Sequence, residues 1–97
     1  MNIQGLYDLD SKDDTGAIIK LCSKEHPIFK GHFPLNPILP AFIHFEIISD
    51  IFSIDIKEIK KAKFSEVIVP DDIVHYKKDK NKFKIFVNNK QVAMISL

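Results

Sequence analysis

The sequence predicts an α+β fold in which an antiparallel sheet is wrapped around one central helix. Two observations carry this expectation. Residues 41–52, Ala41-Phe-Ile-His-Phe-Glu-Ile-Ile-Ser-Asp-Ile-Phe52, are apolar around most of a helical circumference. The segments before and after them read as short strands separated by polar turns. A helix apolar on most sides has to be enclosed, and strands are what the rest of the chain offers.

The elements follow in order. Residues 2–9 and 16–24 read as strands, with Asp10-Ser-Lys-Asp-Asp-Thr-Gly16 as the polar turn of a hairpin. Residues 26–40 contain Pro27, Pro34, Pro37 and Pro40, which cannot donate to a sheet ladder or sit inside a helix. With Ile28, Phe29, Phe33, Leu35, Ile38 and Leu39 among them, they are expected to form a packed loop. Pro40 suits a first helical position, where the missing N–H is not needed. Only Glu46, Ser49, Asp50 and Ser53 give the helix a polar stripe. Strands are expected at about 56–69, 73–78, 82–88 and 91–97, parted by Pro70-Asp-Asp, Asp79-Lys-Asn-Lys and Asn88-Asn-Lys. No repeat or low-complexity tract interrupts residues 1–97, so one domain is expected.

Composition narrows the function. Apolar residues make up 45% of the 97 and charged residues 28%, which argues against disorder. The 14 cations are all Lys and face 13 acids, leaving a net charge of +1. That balance does not describe a surface built for nucleic acid, and no recognition helix is evident. With no Arg and 16 Ile, the bias is that of an AT-rich genome. Cys22 has no partner for an intrachain disulfide, and no signal or membrane-spanning segment is visible. The expected location is cytoplasmic, without membrane insertion. The total also conceals a split. Residues 1–56 hold four Lys and eight acids, whereas residues 57–97 hold ten Lys and five acids.

Chemistry concentrates between Gly31 and Glu46. His32 lies on a proline-braced loop, and Glu46 lies on the second turn of the following helix. Between them the helix start leaves the N–H groups of Ala41 and Phe42 without intrahelical partners, able to polarise a carbonyl. A base, an acid and an amide pair are the parts needed to remove a proton beside a thioester carbonyl.

This segment resembles the motif of the β-hydroxyacyl-(acyl-carrier-protein) dehydratases, which have the hotdog fold. Gly31, His32, Phe33, Pro34, Pro37 and Pro40 stand at the family's spacings, with Glu46 fourteen residues after the His. Lys63-Phe-Ser-Glu-Val-Ile-Val-Pro-Asp-Asp72 is similar to a second, weaker family pattern. The short chain looks more like the compact dehydratase-like proteins of aryl-polyene and related lipid clusters. The resemblance implies that His32 removes the C2 proton of a 3-hydroxyacyl thioester and Glu46 protonates the departing hydroxyl. The N–H groups of Ala41 and Phe42 would hold the thioester oxygen, the Ile38 carbonyl would orient the imidazole, and Phe33, Leu35 and Ile38 would line the substrate tunnel. It also implies no metal and no redox cofactor. The substrate would ride on the phosphopantetheine of an acyl carrier protein or on CoA, and a homodimer, or a higher oligomer, would share its sites.

Leu35 and Ala41 stand where the family has Gly, and Asp50 stands where it has an amide. A non-Gly residue at a positive φ would be strained by roughly 1 kcal/mol or more. If Asp50 lies shielded beside Glu46, repulsion favours keeping one of them protonated. His44, two positions from Glu46, is expected on a different face in a structural role, and His26 and His75 as ordinary polar residues. No metal-ligand spacing links the histidines, and no nucleophile motif surrounds Cys22. The lysines at 57–63 and 77–84 are expected to form either a solvated strand face or a dock for an acidic carrier near the tunnel mouth. The rival functions are a hotdog thioesterase, with Glu46 activating water, and a non-catalytic acyl-thioester-binding subunit.

Overall fold

A computed structural model describes residues 3–31 and 35–97. Strands β1 (Tyr7–Asp13) and β2 (Gly16–Leu21) form a hairpin. A one-turn helix α1 (Pro27–Lys30) and the ten-residue helix α2 (Ile43–Phe52) follow. Then come β3 (Lys61–Phe64), β4 (Ile73–Asp79), β5 (Lys82–Val87) and β6 (Lys90–Ser96). All pair antiparallel in one six-stranded sheet of order β1-β2-β4-β5-β6-β3, so the chain crosses from β2 to the far edge and returns. No helix among the described residues is long and apolar enough to cross a membrane.

The sheet encloses α2 because alternation puts one apolar row inward on every central strand. Ala17, Ile19 and Leu21 of β2, Val74 and Tyr76 of β4, Phe83 and Ile85 of β5, and Ala93 and Ile95 of β6 are buried. They meet Ile43, Ile47, Ile48 and Ile51 of α2 in a single core cluster. Each of those isoleucines contributes roughly 1.5–3 kcal/mol by leaving water. The helix ends at Ser53, which takes a left-handed φ of 54° and donates its N–H to Ser49 O.

Several boundaries differ from expectation for local reasons. The first turn is much tighter than 10–16, because the Asp13 carboxylate accepts from both Thr15 N and Thr15 Oγ1 at 2.7 Å and closes the chain there. The same two bonds hold the Asp13 carboxyl below its usual range. The proline-rich loop contains α1, since Pro27 occupies the first helical turn, where proline is tolerated. His26 caps it. Its Nδ1 accepts from Ile28 N at 3.1 Å, so its Nε2–H is left to donate to Gln4 O at 2.8 Å. The central helix starts at Ile43, not Pro40. Residues 40–42 form a tighter turn whose carbonyls accept from Ile43, His44 and Phe45 N–H at 3.0–3.2 Å. The strand expected over 56–69 is reduced to Lys61–Phe64 at the sheet edge.

Gly16 marks the tightest approach between strands. A Cβ there would lie 2.3 Å from the Tyr76 carbonyl oxygen on β4. Gly16→Ala is therefore expected to destabilise the protein by roughly 2–4 kcal/mol, a large fall in thermal midpoint readable by calorimetry.

Candidate active site

The start of α2 positions the candidate groups. At 100° per residue, Ala41 and His44 fall on neighbouring faces, whereas Glu46 lies on the other side of the axis. The structure follows that geometry. Ala41 borders a cavity of about 300 Å³ together with Ile38, His44, Phe64 and Val67. Glu46 borders a separate groove of about 550 Å³ with Ile3, Phe45, Ser49, Asp50 and Ile56. Among the described residues, Ala41 and Glu46 thus border separate concavities. His32 and Phe33 lie outside the described residues.

The individual positions are informative. Ala41 is not among the described residues with positive φ, so the Gly-to-Ala departure carries no backbone strain. The loop before it is tied down by Leu39 N donating to Ile68 O at 2.7 Å. Phe42 is 49% exposed and Leu35 fully exposed, so within one chain Leu35 lines no enclosed space. The Glu46 side chain is half-buried, with Oε2 withdrawn from solvent. Asp50 shares its groove but is exposed, and it accepts a hydrogen bond from the Tyr7 hydroxyl of β1. Burial first, and then that bond to a carboxylate, raise the Tyr7 phenol well above its ordinary range. The sequence reading missed Tyr7, and nothing local to it predicts a helix contact 43 residues away.

Among the described residues, His44 is the buried polar residue of the core, as its helical phase suggested. Its Nδ1 is hydrogen-bonded to the buried Tyr76 hydroxyl at 2.8 Å. Its ring stacks on Phe64 at 6.0 Å and meets Tyr76 edge-on at 5.7 Å. Burial lowers its pKa to about 4 and raises that of Tyr76, so both are neutral at pH 7. Burial likewise raises the Cys22 thiol, which leaves it a poor nucleophile. Among the described residues, no three His, Cys, Asp or Glu side chains gather as a metal ion would need.

An antiparallel sheet of order β1-β2-β4-β5-β6-β3 around a central helix defines a hotdog-fold protein. The chain belongs to the ApeI-like family, whose model, described as ApeI dehydratase, matches residues 9–96. It is similar to the 3-hydroxyacyl-(acyl-carrier-protein) dehydratase FabZ of Ehrlichia ruminantium, with 28% identity covering 76% of this chain and 66% of the relative. It is also similar to the FabZ of Idiomarina loihiensis, with 30% identity covering 76% of this chain and 59% of the relative. It therefore spans about two thirds or less of the length of the curated relatives it matches. Among solved structures, the Xenorhabdus doucetiae dehydratase heterocomplex ApeI:P shares the fold, with TM-score 0.66, 17% identity and 92% of both chains covered. So does an uncharacterized protein from Erwinia carotovora subsp. atroseptica, with TM-score 0.57, 17% identity and 92% and 88% of the chains covered.

The His44–Tyr76 pair makes a pH prediction. The folded-state pKa of His44 lies below the ordinary 6.5, so the unfolded chain takes up this proton first as pH falls. The stabilisation is complete above pH 6.5 and declines towards pH 4, by about 3 kcal/mol for this group. Denaturant melts of wild type and His44→Gln should converge over that interval. Tyr76→Phe, which strands a buried ring nitrogen, should lower stability at pH 7 by roughly 1–3 kcal/mol.

Proposed function

We propose that this chain is a hydro-lyase acting on 3-hydroxyacyl thioesters carried by an acyl carrier protein or CoA. His32 takes the C2 proton, the C3–O bond breaks with Glu46 supplying a proton to the hydroxyl, and water leaves a trans-2-enoyl thioester. The N–H groups of Ala41 and Phe42 carry the charge that develops on the thioester oxygen. The reading needs no metal and no redox cofactor. The observation that carries it is the Gly31–Glu46 motif, which lies wholly inside the span matched by the dehydratase family.

The separation of Ala41 from Glu46 supports a site completed by a second subunit. So does the edge of the sheet. β3 ends the strand order, and Phe42, Phe64, Val67 and Val69 beside it are 39–63% exposed. An unpaired strand edge flanked by large apolar side chains is a natural seat for another copy. A homodimer sharing base and acid between subunits fits both features.

The test offers the purified protein a 3-hydroxyacyl carrier thioester and follows enoyl product by mass spectrometry. His32→Ala and Glu46→Gln should each lower kcat/KM by roughly 100- to 10,000-fold. Mixing the two inactive variants should restore about a quarter of wild-type activity, because about half of all dimers are then mixed and each mixed dimer carries one intact shared site of its two. Free thiol without enoyl product would select a thioesterase. Thioester binding without turnover would select an acyl-binding subunit.

A further inference from the structure

The sheet has a second face, turned away from α2. Because Tyr76, Phe83, Ile85 and Ile95 point inward, their neighbours Lys77, Lys82, Lys84, Met94 and Ser96 point outward, with Lys61 and Lys63 of β3 beside them. The register aligns these residues in two rows. Lys77 stands opposite Lys84, Lys84 opposite Met94, and Met94 opposite Lys63. In the next row Lys82 stands opposite Ser96 and Ser96 opposite Lys61, with Asp79 at the hairpin end. At ordinary strand spacing the rows cover about 15 Å by 7 Å.

Five lysines thus share a small area with one carboxylate. Among the described residues, no carboxylate oxygen comes within 4.0 Å of their ammonium groups. Lys77 instead sits 4.6 Å over the Phe86 ring. Like charges directly opposed across a ladder are destabilising, so the fold carries the Lys77–Lys84 repulsion without an internal counter-charge.

We propose that this lysine ladder docks the protein on an anionic lipid surface. The occupant follows from shape and charge. A planar surface meets one face only, so Glu46 and Asp50 of α2 need not approach it. Asp8 and Asp13 share the face only at its β1 edge, two strands from β4 and about a screening length of 8–10 Å from Lys77. A wrapping polyanion would meet those acids. A second copy would set one ladder against the other. An acyl carrier serving Glu46 cannot use this face, because the sheet stands between it and α2. Each lysine near an anionic bilayer adds attraction worth about fivefold in affinity. The inference is independent of the proposed reaction.

Sedimentation with vesicles of phosphatidylcholine, with and without about one third phosphatidylglycerol, tests it. The expected result is binding to the anionic vesicles alone, weakening as salt rises from about 50 to about 300 mM. Lys77→Gln and Lys84→Gln should each weaken binding about fivefold, while Lys24→Gln, off the ladder, leaves it unchanged. Lys84→Glu should weaken binding further and yet raise the thermal midpoint by roughly 1–5 °C, since it replaces a repulsion by an attraction. That rise excludes misfolding as the cause. Equal binding to neutral vesicles, no binding to either, full binding by the ladder variants, or ladder-dependent capture of single-stranded DNA or an acidic carrier in place of vesicles would overturn it.

Discussion

Enclosing α2 is the constraint on which the rest of the molecule depends. A helix with Ile43, Ile47, Ile48 and Ile51 buried and Phe45 and Phe52 half-covered has too wide an apolar surface for a flat layer. The sheet curls to meet it, and the curling requires close strand approach at Gly16 and irregular register in β1 and between β5 and β6. The His44 imidazole inside this apolar contact is held by the Tyr76 hydroxyl, which joins helix to sheet through a fully buried bond. An isoleucine at either end of that bond would suit burial as well, but would not specify which strand meets which turn of the helix.

The same helix divides the chemistry. Ala41, in the turn just before it, borders a cavity with His44 and Phe64, and its first turn carries Glu46 to a separate groove shared with Asp50, the partner of Tyr7. A single helix can place two groups five residues apart only on different sides, whatever surrounds it. The dimer proposed above would bring both groups to one site, with the exposed β3 edge and its apolar border as its seat.

Charge is organised by the sheet rather than by position along the chain. The basic half of the sequence folds into strands whose alternation sends Lys77, Lys82 and Lys84 outward together, away from the grooves that border Ala41 and Glu46. A dock for a carrier at the site would need cations on the helix side of the sheet, and these three, with Lys61 and Lys63 of β3, are not there.

Much of the fold and the family was legible in the sequence, and of the candidate site the separate faces of His44 and Glu46 were. The wrapped helix and the antiparallel strands follow from apolar periods of 3.6 and 2, and the family follows from the spacing of Gly31, His32, the prolines and Glu46. The face of His44 followed from helical phase alone. Local patterns carried this far because periodicity and motif spacing are properties of contiguous residues. The tertiary structure alone decided the late start of α2, the Tyr7–Asp50 contact, the shortness of β3 and the gathering of lysines in two rows. The lysine rows depend on register between strands distant in sequence, which is set by the fit of whole side-chain rows against the core, and the Tyr7–Asp50 contact depends on how β1 meets α2.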